Sequence, residues 1–174
     1  MEAFWRKGYE ATSLVDLTES TGLNKASLYR VFGDKHALFI SALKNYADME
    51  MREVMAVAFD SDSPLTNIRA VVDKVTTDFA HEKGCLMINS LVELGPHDAE
   101  VAQMLQAFAE QRIGAMTQMI GQAQKAGEIR AELEPARLAQ GLMITLAGSA
   151  AMAKGYMARE LIIDNLENLI DSWT

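Results

Sequence analysis

Apolar residues recur along most of this chain at intervals of three and four, the spacing of one helix face. Short polar stops built from Gly, Pro, Ser, Asp and Asn separate the runs. The pattern predicts an all-α chain. Phe4 and Trp5 open it, and Gly8 with Tyr9 end the first helix. Ser13-x-x-Asp16 is a capping-box pattern, with the carboxylate at the positive helix end. Leu14, Val15 and Leu17 offer that helix a buried face, and Thr21-Gly22 stops it. Leu23 is the expected apolar plug of a tight turn. Asn24 then caps a helix from Lys25 to Val31, with Leu28 and Phe32 holding it to the body.

Asp34 caps a long helix whose stripe is Phe39, Ala42, Leu43, Tyr46 and Met49, continuing through Val54, Ala58 and Phe59. The run from Asp60 to Pro64 is the clearest linker. Ser63 caps and Pro64 starts a helix to about Glu82, with stripe Ile68, Val71, Val72, Val75 and Phe79. Lys83-Gly84 breaks it. Leu86 to Leu94 is nearly all apolar and suits a central buried helix. Asp98 caps a helix to about Ala126, built on Val101, Met104, Leu105, Phe108, Ile113, Met116 and Ile120. Ile129 to Leu133 is a loop. Helices from Pro135 to about Tyr156, and from Glu160 to Trp173, finish the chain.

The helix after Asn24 has an unusual outer face. Lys25, Ala26, Ser27, Tyr29 and Arg30 are small, basic or hydroxylated. Such a face can enter a DNA major groove. Small residues permit close approach, hydroxyls and cations reach phosphates, and an arginine pairs with a guanine edge. Phe4-Trp5-x-Lys7-Gly8-Tyr9, Thr12-Ser13-Leu14 and Leu28-Tyr29-x-x-Phe32-Gly33-x-Lys35-x-x-Leu38 together resemble the N-terminal DNA-binding domain of the TetR family of bacterial transcriptional regulators. The resemblance runs from about residue 4 to about residue 43. It implies a three-helix helix-turn-helix head over residues 1–45 and a helical ligand-binding and dimerisation body over residues 46–174. By the same resemblance, Ser13, Lys25, Ser27, Tyr29 and Lys35 position the head on phosphates, and Ala26 and Arg30 meet bases. Lys35, in the first turn of the linking helix, would hold a phosphate together with the helix N-terminus. Met1 to Trp5 resembles only the second half of the family's first helix. Either that helix is short here or an upstream segment precedes it.

Charge sharpens this picture. The net charge is −8, yet residues 1–48 hold six basic and six acidic residues. The whole excess falls on the rest of the chain, so an acidic body carries a locally neutral head. Half the residues (49%) are hydrophobic and only 7% are aromatic, a helix-rich composition. No apolar run reaches the ~18 residues of a membrane span. With no visible secretory signal and a single Cys, a cytoplasmic location is the default.

Gly141, Gly148 and Gly155 stand seven apart among small residues. Mid-helix glycine costs ~1 kcal/mol against Ala, so close approach by another helix is expected, either from a second chain or within this one. With Ile162, Leu166, Leu169, Ile170 and Trp173 of the final helix, this suggests a homodimer through the last two helices, forming a four-helix bundle. Two heads on a two-fold axis would read a palindromic operator.

Phe79, Met87, Leu91, Met104, Phe108, Met116 and Met143 are candidates to line a pocket for a small-molecule inducer, or are ordinary core. Cys85 lies before a helix and near Lys83, two features that lower a thiol pKa. It is either an oxidant or electrophile sensor, as in some members with a similar Gly-Cys-Leu, or a small packing residue. No zinc spacing, phosphate loop or paired-carboxylate motif appears, so neither metal, cofactor nor catalysis is expected. His81 and Cys85 are four apart, but Gly84 interrupts the helix between them. The resulting expectation is a ligand-responsive repressor. The alternative is a dimeric small-molecule-binding or thiol-sensing protein with weak or lost DNA binding.

Overall fold

The computed structural model describes residues 1–77, 83–155 and 157–174. These residues form helices and no strand. The order is α1 (Glu2–Lys7), α2 (Leu14–Thr21), α3 (Lys25–Phe32), α4 (Lys35–Met55), α5 (Pro64–Thr77), α6 (Leu86–Leu94), α7 (Ala99–Lys125), α8 (Pro135–Met152) and α9 (Arg159–Asp171).

Six of the helix starts are set by side chains that take up otherwise unpaired backbone N–H groups. Ser13 and Asp16 form a reciprocal capping box on α2. Asn24 accepts from the Ser27 N–H on α3, Asp34 from Ala37 on α4, and Asp98 from Val101 on α7. The Ser63 hydroxyl accepts from the Thr66 N–H at 3.1 Å, and Pro64 follows it. Glu134 plays the same part for α8, accepting from Ala136 and Arg137.

The first three helices pack as a small unit, and α4 runs from it into the body. Leu17, Leu28, Leu38 and Phe39 are buried at the centre of this head. Complete burial of Leu28 anchors α3 by roughly 1.5–3 kcal/mol. In the body α7 lies along α8 and α5, while α9 packs on α5 and α8. α6 touches α1, α4, α7 and α8, and so joins head and body.

Several expectations change. Val15 is 62% exposed, because it falls opposite the face that carries Leu17. Leu23 is exposed and does not plug the turn. Phe59 lies after the end of α4 and is exposed. α6 is buried only on the face of Leu86, Met87, Ser90 and Leu94, with Leu91 and Val92 turned outward. α8 ends at Met152, so Gly155 lies beyond it, at φ +143°. Phe79 and the expected end of α5 at Glu82 lie outside the described residues, as does Tyr156. No helix among the described residues is long and apolar enough to cross a membrane.

Candidate nucleic-acid interface and ligand cavity

The two-helix unit presents α3 as an outward rod. Lys25, Ala26 and Arg30 are exposed, while Ser27 and Tyr29 are half-buried. Among the described residues, no hydrogen bond or ion pair holds the Lys25 or Arg30 side chain; the Lys25 ammonium lies 5.9 Å from the Tyr29 ring centroid. These side chains are free to reach a ligand. Ser13 differs. Its hydroxyl donates to Asp16 Oδ2 at 2.7 Å and accepts from the Asp16 N–H, so its hydrogen is already committed. Lys7 Nζ lies 2.5 Å from Asp16 Oδ1. The Lys7 ammonium and the Ser13 bonds together hold the Asp16 carboxyl down at about 2. Lys35 folds back over the Tyr9 ring, 4.6 Å from its centroid, and donates to the Glu10 carbonyl at 3.3 Å.

A set of bonds fixes this head to the body. Glu93, near the end of α6, accepts the Tyr9 N–H at 2.9 Å and the Glu10 N–H at 2.8 Å, one on each carboxylate oxygen. Gly8 permits this approach: a Cβ there would lie 2.7 Å from Glu93 Oε2. Trp5 Nε1 donates to the Gly84 carbonyl at 2.9 Å. Lys83 pairs with Glu2 at 2.7 Å, and His36 Nε2 meets Asp98 Oδ2 at 2.7 Å. Sequence reasoning did not find Glu93, because nothing in its helical spacing marks a carboxylate that reaches a turn 83 and 84 residues away.

The body holds a cavity of about 310 Å³ that opens to solvent, with exposed Met55 and Phe59 among its lining. α4 supplies Glu50, Met51, Val54 and Met55, and α7 supplies Arg112, Met116, Met119 and Gln122. α5, α6 and α8 close it with Val71, Ile88, Met143 and Leu146. Two of the expected pocket residues, Met116 and Met143, line it. Met87, Leu91, Met104 and Phe108 do not, and Leu91 faces outward. Helical periodicity marks which residues face inward, but not which inward residues border an empty volume.

Cys85 also lines the cavity. Its surroundings differ from those of a reactive thiol. It is 8% exposed, and burial, aided by the Glu50 charge, pushes its pKa up. The Tyr46 hydroxyl is 3.7 Å from its sulfur. The Lys83 ammonium is occupied by Glu2 and the Trp5 ring. The side chain packs as a small buried group.

The glycines on α8 leave room for a side chain among the described residues. A Cβ at Gly141 or Gly148 would meet nothing within 4 Å. Ile144, 72% exposed, and Met152 share that face, and Leu161 of α9 is exposed as well. Ile162, Leu166, Ile170 and Trp173, expected at an intersubunit face, are buried within this chain instead.

Comparison with known proteins agrees with this geometry. Residues 1–42 match the model of the bacterial regulatory proteins of the tetR family, and residues 64–162 match the tetracyclin repressor-like C-terminal domain. The HTH-type transcriptional repressor ComR of Escherichia coli (strain K12) is 29% identical over 177 residues, covering 99% of this chain and 84% of that protein. The uncharacterized HTH-type transcriptional regulator YezE of Bacillus subtilis (strain 168) is 33% identical over 135 residues, covering 76% of this chain and 70% of that one. Among solved structures, a cysteine mutant of the regulator CifR with 26-base-pair operator DNA aligns with TM-score 0.86 and 25% identity, covering 99% of this chain and 91% of that one.

Proposed function

This chain belongs to the TetR family of DNA-binding transcriptional regulators, and from that premise we propose that it is a homodimeric repressor released from a palindromic operator by a small-molecule inducer. Members of the family are non-enzymatic DNA-binding factors. The observation that carries the reading is the continuity of α4, whose first turn belongs to the head and whose last two turns wall the cavity. A ligand in the cavity therefore touches the element that orients the head.

Residues 1–45 act as the head and residues 46–174 as the body, in keeping with the two matched models. Ala26 and Arg30 meet bases. Lys25, Ser27, Tyr29 and Lys35 position the head on phosphates, Lys35 after leaving the Tyr9 ring. Ser13 contributes by fixing the start of α2 and can still accept a hydrogen bond. The open face of α8, with Gly141, Ile144 and Gly148, meets its copy across a two-fold axis, and α9 borders it through Leu161. The inducer prefers the released arrangement of α4, which is the condition for a population shift. The protein works in the cytoplasm.

Selection of bound duplexes from a random pool, at two salt concentrations, tests this. An enriched palindrome is expected. Enrichment of no sequence, with only weak salt-sensitive binding, would overturn the repressor reading in favour of a ligand-binding protein that has lost its operator.

A further inference from the structure

Among the described lining residues of the cavity, Glu50 and Arg112 are the two ionised side chains, and they face each other. Arg112 Nη2 lies 2.7 Å from Glu50 Oε2, with the side chains 22% and 10% exposed. Their charges cancel within the wall. Gln118 and Gln122 add neutral amides. The remaining described wall is apolar, with the Phe59 ring, the buried Cys85 thiol, aliphatic groups and the thioethers of Met51, Met55, Met116, Met119 and Met143.

Among the described lining residues, no charge beyond this pair is present to meet an ionised ligand. Burial of an unpaired charge costs several kcal/mol. An uncharged ligand avoids that cost. Thioether sulfurs favour polarisable partners and make attractive contacts with aromatic rings. A wholly apolar occupant would strip water from the outer edges of the ion pair and return no hydrogen bond. The volume lies at the lower end of small-molecule pockets. It suits one or two fused rings rather than a lipid chain or a large polycycle.

We propose that the cavity takes an uncharged aromatic molecule with one small hydrogen-bonding group, of the phenol or aromatic carbonyl class. The ring lies among the methionines, and the polar group meets the Glu50–Arg112 pair. Because Glu50 belongs to α4, that group touches the helix leading to the head. The inference rests on the reading of the body as the sensor.

The test uses four compounds on one skeleton: 2-naphthol, 2-naphthaldehyde, 2-naphthoate and 2-naphthylmethylammonium. Binding to the full chain, without DNA, is measured by calorimetry at pH 7. The neutral pair is expected to bind roughly tenfold or more tightly than either ion. Glu50→Gln leaves Arg112 uncompensated and should shift the preference towards naphthoate, while Arg112→Gln should shift it towards the ammonium. Ala147→Trp, which fills the cavity, should abolish binding of all four. Equal or tighter binding of either ion by the unsubstituted protein would overturn the proposal, and that ranking needs no variant to fold. Failure of all four to bind would overturn it as well. Operator release is scored separately on the selected duplex. Neutral ligands that bind without releasing DNA would leave the ligand class standing and sink the inducer reading.

Discussion

Gly8 sits at φ +81° and ψ 175°, a backbone region that is costly for any residue with a Cβ. A Cβ would also press on Glu93 Oε2. Gly8→Ala should therefore cost about 1–3 kcal/mol in urea unfolding, with the Tyr9 and Glu10 amides losing protection in hydrogen exchange. Asp16 carries a pH dependence. Its folded pKa, about 2, lies below the ordinary 3.8, so its contribution is present above 3.8 and is lost as pH falls through about 2. Asp16→Asn should flatten the acid limb of a circular-dichroism titration across that window. Arg30 is exposed with no intrachain ion pair among the described residues. Arg30→Ala should relax selection at one operator position, costing about 1–3 kcal/mol there. An equal loss on every duplex sequence would make Arg30 a phosphate contact instead.

At the scale of elements, α6 and α8 do work their hydrophobicity does not reveal. α6 places Cys85 and Ile88 at the cavity and Glu93 under the turn after α1. It is a short strut between the cavity and the head, and its exposed Leu91 and Val92 lie outside its buried face. α8 turns Leu142, Leu146 and Ala150 inward and leaves Gly141, Ile144 and Gly148 open. Ile144→Asp places a charge on that open face without touching the core. Sedimentation should then show a monomer with unchanged helical content. A dimer that survives this change would put the interface elsewhere.

Taken whole, the molecule joins a charge-balanced head to an acidic body, since residues 1–48 sum to zero while the chain carries −8. The body repels DNA, and the head must supply the attraction. The logarithm of operator affinity should fall linearly with the logarithm of salt concentration, with slope ≈ −0.9 per phosphate neutralised. A filter-binding series across salt measures it, and a flat line would exclude phosphate contacts by Lys25 and Lys35. The proposed dimer would double the contacts, so Ile144→Asp should also make that slope shallower.

The sequence by itself determined the helices and their starts. Ser13, Asn24, Asp34, Ser63 and Asp98 cap where local chemistry says they must, because a cap needs only a side-chain oxygen within three residues of a free N–H. The motif pieces between Phe4 and Leu38 likewise pointed to the helix-turn-helix family, since a reading head is built from neighbours in the chain. Only the tertiary structure decided which faces were spent and which were left over. Val15 and Leu23 carry apolar side chains yet stay outside, while Ile162 and Trp173 go into this chain's own core. The cavity and its Glu50–Arg112 pair depend on α4 and α7 being placed so that their side chains meet, with partners 62 residues apart. The clamp of Glu93 on the head spans a greater separation still. Periodicity reports the direction a side chain faces along its own helix, and it holds no record of what another helix brings to meet it.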